Sequence, residues 1–398
     1  MESGIQHHTR RASTHQRRPT EVLLHGSDAP ACDRLRALRK AAVVDGLDGA
    51  ARPVAWKLLL GVGRCDAKRY GALVARGPCG SGESIEADAR RTFRSGGAAR
   101  VDEARLARVL NALGHELEAR RGGPDAARET TRRRSASSDG APRPPPPPPR
   151  SPGAAATAGP NRSSIAGVLL HALPSELEAF WCLEALVAAK APTYFTPNLG
   201  GAAAGAALVD RCLAVVDPEL YARLTPPPPS PRLGARRRAS SSGSSHGAAL
   251  LGAESSPASR RGARPLEDLF AFPLLASLFA CAPPLAEVVV LWDALLALGV
   301  HSGVLLCAAL CVSLRDELLL DPDPLARLQP RNLPPLDGRR LVAGAARLAP
   351  KIPPPLFDLV LRHPVDVVDR AAILACVADG DPGKPPPPPK HRRSSLIM

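Results

Sequence analysis

Proline decides how much of this chain can enter a core. Of 398 residues, 44 are Pro and 33 are Gly, and they gather in blocks such as PRPPPPPPRSPG at 142–153, TPPPPSPR at 225–232 and PPPPPK at 385–390. Proline lacks a backbone N–H and interrupts helices and sheets alike. Segments rich in Pro, Ser, Gly and Arg bury too little apolar surface to offset their chain entropy. The sequence therefore predicts disorder over residues 1–28, about 121–163, about 225–264 and 379–398. What remains is one medium-sized domain over 29–378, interrupted by two insertions.

Between these blocks lie apolar runs of helical length. DRLRALRKAAVV, RPVAWKLLLG, RLARVLNALGHELEA, ELEAFWCLEALVAAK, ALVDRCLAVV, LEDLFAFPLLASLFA and PLFDLVL all repeat their apolar residues at three and four, not two. Only VVVLW has the composition of a strand, and LWDALL carries it on as helix. The fold class is all-α, in many short helices. Residues 294–314, ALLALGVHSGVLLCAALCVSL, carry no Asp, Glu, Lys or Arg and are long enough to span a bilayer. The central GVHSG places a break between two shorter helices, so the stretch is read as two buried helices. The N-terminus has His7, His8, Arg10 and Arg11 but no apolar core of a secretory signal; an organellar transit peptide stays open.

The net charge of +14 would suit nucleic acid or an anionic membrane. Much of the excess arginine, however, sits in the Pro/Ser/Gly-rich segments, and no basic run is interleaved with Tyr or Phe as base stacking requires. Nucleic acid is therefore not an expected partner, and the basic tails would add only a weak contact with anionic membrane. The nine cysteines are scattered and include no C-x-x-C pair, the usage of a reducing, cytoplasmic compartment. Cys307 and Cys311 share a helix face, but a zinc site needs two further ligands; they are read as small buried hydrophobes, and no metal or cofactor is expected. Arg-Arg-x-Ser recurs at Ser13, Ser135, Ser240 and Ser395, always in a segment predicted to be disordered. Chance generates this pattern as readily as regulation does.

GPCGSGES, from Gly77 to Ser84, has the spacing of a phosphate-binding loop in every position but one. Glu83 stands where the lysine should be, and its carboxylate would repel phosphates. The segment is instead a flexible loop ending in Ser84 as the N-cap of the next helix. That helix reads IEADARR. Its i,i+3 spacing aligns Ile85, Asp88 and Arg91 on one slowly drifting stripe, with the Asp88 carboxylate beside the Arg91 guanidinium. An arginine held this way is either an ordinary solvated ion pair or an instrument aimed at a phosphate.

Four motifs in order decide the matter. RPVAWKLLLG, with Pro53 opening a helix and Gly61 closing it, precedes IEADARR; FWCLEALV at 180–187 and PPLAEVVVLWDALLALG at 283–299 follow. Together they resemble the TBC domain, the all-helical catalytic module of Rab GTPase-activating proteins, over roughly residues 40–350 without the insertions. Arg52, Trp56 and Gly61 fit the motif that opens that domain, Ile85, Asp88 and Arg91 fit the motif carrying its arginine finger, and Leu291, Trp292 and Asp293 fit its late Leu-Trp-Asp motif. VVDPEL, LEDLFAFPLLASLFA and LRDELL are most similar to the TBC domain-containing protein kinase-like subgroup.

The resemblance implies a catalytic Arg91 supported by Asp88, Ile85, Arg52, Trp56, Trp292 and Asp293, with Arg90 as the fallback if the register shifts by one. It implies a Rab-family small GTPase as partner, which itself carries GTP and Mg²⁺, and a role in vesicle trafficking in the cytoplasm or peripherally on endomembranes. The chain would be an activator and not itself a GTPase. One departure stands out. The family places a second finger, a glutamine in Tyr-x-Gln-Gly, before the helix that precedes FWCLEALV. This chain has only Gln6, Gln16 and Gln329, and the expected place is filled by GPNRSSIAGVLL, whose nearest amide is Asn161. A catalytically degenerate module that binds a GTPase or serves as a scaffold is therefore the alternative.

Overall fold

The computed structural model describes residues 30–92, 102–121, 160–225 and 266–378, and every regular element among them is helical. The first half holds α1 (Ala31–Val44), α2 (Arg52–Leu60), α3 (Ala67–Ala75), α4 (Gly82–Arg91), α5 (Glu103–Arg121), α6 (Pro160–Ala172) and α7 (Glu176–Ala185). A π turn (Leu186–Lys190) and a 3-10 turn (Pro192–Phe195) lead into α8 (Gly200–Val216) and α9 (Pro218–Leu224). A second π turn (Leu266–Ala271) opens α10 (Phe272–Ala276), followed by α11 (Leu285–Leu298), α12 (Ser302–Ser313), α13 (Arg315–Leu320), α14 (Pro324–Arg327), α15 (Gly338–Leu348), α16 (Pro354–Arg362) and α17 (Arg370–Ala378). The four Arg-Arg-x-Ser serines and nearly all of the segments expected to be disordered lie outside the described residues. The exception is the end of the first insertion. α6 begins at Pro160, inside the 121–163 boundary, and Asn161, Arg162 and Ser163 are buried.

Local chemistry sets the helix ends. Asp66, Ser175, Asp217, Asp323 and Asp337 each accept the backbone N–H three residues onward, caps worth about 1 kcal/mol apiece. Pro53 sits in the first turn of α2 and Gly61 closes it at φ 80°, the left-handed geometry that glycine adopts without a Cβ penalty. α8 is the hub of the second half, packing against α9, α10, α12, α16 and α17. Its run of Gly and Ala allows that crowding. A Cβ at Gly201 would lie 2.2 Å from Thr193 Oγ1 and 2.9 Å from the Thr193 carbonyl carbon.

The charge-free stretch 294–314 divides as its sequence predicts. α11 ends at Leu298, Gly299 turns the chain at φ 111°, and the Ser302 hydroxyl donates to the Gly299 carbonyl at 2.8 Å as α12 begins. Among the described residues no helix is long and apolar enough to cross a membrane. Cys307 and Cys311 are fully buried in α12, and burial pushes both thiols well up. LEDLFAFPLLASLFA departs from a continuous helix. It ends at Ala276, and Leu278 and Phe279 take φ 50° and 67°, a left-handed geometry costing roughly 1–2 kcal/mol per residue. Burial offsets that cost: Phe279 is 0% exposed, and the Trp292 indole N–H donates to the Leu278 carbonyl at 2.8 Å.

Candidate functional site

α4 grows from an anchored base to an open tip. The loop before it is pinned and not flexible. Asn111 Oδ1 accepts the Cys79 N–H at 2.9 Å, Glu118 Oε1 accepts the Gly80 N–H at 3.1 Å, and His115 Nε2 lies 3.0 Å from the Gly77 carbonyl. The helix begins at Gly82 with Ser81 as N-cap, so Ser84 lies within the first turn and does not cap it. A Cβ at Gly82 would meet Pro78 Cβ at 2.6 Å, which fixes how tightly loop and helix fold together. Ile85 and Ala89 are buried where α4 packs on α5 and α6.

The stripe then drifts outward as its spacing requires. The Asp88 side chain is 13% exposed and the Arg91 side chain 78%, with Arg91 Nη1 4.0 Å from Asp88 Oδ1. That is a loose ion pair, beyond hydrogen-bond reach. Burial pushes the Asp88 carboxyl above its usual range, and the nearby Arg91 charge pulls it partly back. Thr92 ends the helix, its hydroxyl donating to the Asp88 carbonyl at 2.7 Å. Arg90 and Arg91 in the last turn complement the negative end of the helix dipole. Arg90 is exposed and, among the described residues, makes no ion pair with Glu86.

Arg52, Trp56, Trp292 and Asp293 gather elsewhere, in a clasp between α2 and α11. Asp293 is 0% exposed, and its two oxygens accept from four donors. Arg52 Nε and Trp56 Nε1 donate to Oδ1 at 2.9 and 2.8 Å, and Arg52 Nη2 and the Leu47 N–H donate to Oδ2 at 3.0 and 3.2 Å. Arg52 Nη2 also donates to the Leu47 carbonyl at 2.7 Å. The indoles of Trp56 and Trp292 pack with centroids 5.6 Å apart, an aromatic contact worth about 0.5–1.5 kcal/mol beyond its burial. These four residues hold the frame together. Only Ile85, Asp88 and Arg91 lie along the α4 stripe.

Residues 161–226 match the family model of the Rab-GTPase-TBC domain. Over that stretch the chain is similar to a TBC domain. It is 29% identical over 327 residues, 82% of this chain and 69% of the relative, to a putative mitotic check point protein BUB2 of Dictyostelium discoideum. It is 28% identical over 324 residues, 81% of this chain and 83% of the relative, to cell division control protein 16 of Schizosaccharomyces pombe. The crystal structure of the Chlamydomonas flagellar RabGAP TBC domain superposes with a TM-score of 0.48 at 18% identity, covering 80% of this chain and 85% of that one.

The matched stretch opens at Asn161, the amide nearest to where the resemblance would place a glutamine. Asn161 is the second residue of α6, buried, and its Nδ2 has no hydrogen-bond partner. Arg162 beside it reaches inward, donating from Nη2 to the Phe195 carbonyl at 2.8 Å. Sequence reasoning also missed the residues that hold the α4 base. Asn111, His115 and Glu118 follow i, i+4, i+7 spacing, a polar stripe along one face of α5 that was there to be found.

Proposed function

We propose that this TBC domain accelerates GTP hydrolysis by a small GTPase, with Arg91 supplied in trans as the arginine finger. The observation that carries the reading is the contrast along α4: a helix pinned at its loop and packed along Ile85 and Ala89 ends in an arginine whose side chain is 78% exposed. A small GTPase holds GTP and Mg²⁺ itself and hydrolyses slowly because charge developing on the transferred phosphate is under-stabilised. An arginine brought to that phosphate raises the rate by roughly 10³–10⁵. Asp88 keeps the guanidinium near its helix without engaging its hydrogen-bonding edge, so the fork stays available. Ile85 sets the register from below.

The partner is a Rab-type or related small GTPase met in the cytoplasm. The relatives carry the names of mitotic check point and cell division control proteins, which favours a role in cell-division control over vesicle trafficking. The chain has no glutamine other than Gln6, Gln16 and Gln329, so the GTPase's own glutamine would orient the attacking water. The same absence sustains the second reading, a module that binds its GTPase without accelerating it. Multiple-turnover GTP hydrolysis with the full chain across a panel of small GTPases separates the two. Stimulation of at least one member is expected; binding without stimulation of any would establish the second.

A further inference from the structure

The geometry points to a binding site for a phosphorylated polyol, an inositol phosphate free or as a lipid headgroup, in the cleft between the end of α12, α13 and α15. The cleft has a volume of about 730 Å³, within the roughly 300–1,000 Å³ typical of small-molecule sites. Its floor is apolar, formed by Ala309, Val312 and Leu348, and one rim carries Arg340, Arg347 and Lys351. These three cations are exposed, and among the described residues none forms an ion pair. Arg340, Gly344 and Arg347 follow i, i+4, i+7 spacing on one face of α15 over roughly 10 Å, and Lys351 ends the 3-10 turn (Ala349–Lys351) that continues from it. Gly344 leaves that face open between them and brings α15 close to α12, where a Cβ would lie 3.1 Å from that of Ala309.

The opposite rim carries Arg315, Asp316 and Glu317, and its charges are already largely answered. Arg315 Nε donates to Asp217 Oδ2 at 2.8 Å and its Nη2 pairs with Glu219, while Glu317 pairs with Arg327. Asp316 is 95% exposed, 3.8 Å from Arg315. Apart from the solvent-exposed Asp316, the unpaired charge of the cleft is therefore positive, from Arg340 and Arg347 on α15 and Lys351 just beyond its end. Two guanidinium forks and an ammonium over an apolar floor match several phosphates on a small carbon ring. The volume favours such a compact ligand over a protein segment. α4 packs on α5 and α6, so this cleft is a second site, apart from Arg91.

Titration calorimetry of the full chain with inositol trisphosphate tests the assignment. Binding should weaken at least about tenfold in Arg347→Ala/Lys351→Ala and persist in Arg392→Ala/Arg393→Ala, which removes the same charge from the C-terminal segment. Flotation with phosphatidylcholine vesicles, with and without phosphatidylinositol bisphosphate, distinguishes the sources. Headgroup-dependent recruitment lost in the cleft variant assigns the lipid, and recruitment absent or unchanged assigns the free inositol phosphate. No binding of inositol trisphosphate, or equal loss in both variants, would overturn the proposal. So would equally tight, cleft-dependent binding of a polyglutamate peptide, which would make this a surface for an acidic protein.

Discussion

Asp293 is a carboxylate with no access to water whose charge is balanced by Arg52 and whose oxygens serve four donors. Removing one partner of a buried pair costs about 3–5 kcal/mol, because the other is left charged and unpaired. Asp293→Asn should therefore lower the melting temperature by roughly 10 °C, with part of the loss recovered when Arg52→Met is added. Unchanged melting in the single variant would mean the clasp contributes little. His363 is the second residue of this kind. It is 0% exposed; Nδ1 lies 2.7 Å from the Val360 carbonyl and so carries the proton, leaving Nε2, at 2.8 Å, to accept from the Tyr194 hydroxyl. Burial pushes its pKa down to about 4. The unfolded chain takes up that proton near pH 6.5, so the stability His363 contributes is intact above pH 6.5 and is lost as pH falls towards 4, by up to about 3 kcal/mol. His363→Gln should flatten the decline in melting temperature across that window; an unchanged slope would place the acid sensitivity elsewhere.

At the scale of elements, much could be read in advance and the exceptions share a cause. Period, Pro53 and Gly61 define α2, and the GVHSG break separates α11 from α12, because those signals are local. The end of LEDLFAFPLLASLFA was not legible, since it depends on Trp292, fourteen residues downstream, taking a carbonyl from the turn. The pinned loop before α4 likewise depends on side chains of α5 more than thirty residues away. α12 is buried from Ser302 to Cys311, with Leu306 2% exposed. Leu306→Asp would place an unpaired carboxylate in that core, a change of the class that costs more than about 4 kcal/mol. Loss of the cooperative melting transition is expected by circular dichroism. A folded, soluble Leu306→Asp variant would contradict the packing described.

Across the whole molecule, the motif residues divide into a frame and a tip. Sequence order alone grouped Arg52, Trp56, Trp292 and Asp293 with Ile85, Asp88 and Arg91; only the fold separates a buried clasp from an exposed arginine on α4. That separation makes the central claim testable, because the tip can be altered without touching the frame. The decisive measurement is single-turnover GTP hydrolysis by the responsive GTPase with wild-type chain, Arg91→Ala and Arg91→Lys, alongside the affinity of each for the GTP-bound partner. Since a finger acts chiefly in the transition state, both variants should return hydrolysis to the intrinsic rate while binding stays within about threefold, lysine failing because a point charge does not replace a planar fork. Stimulation that survives Arg91→Ala would contradict the account.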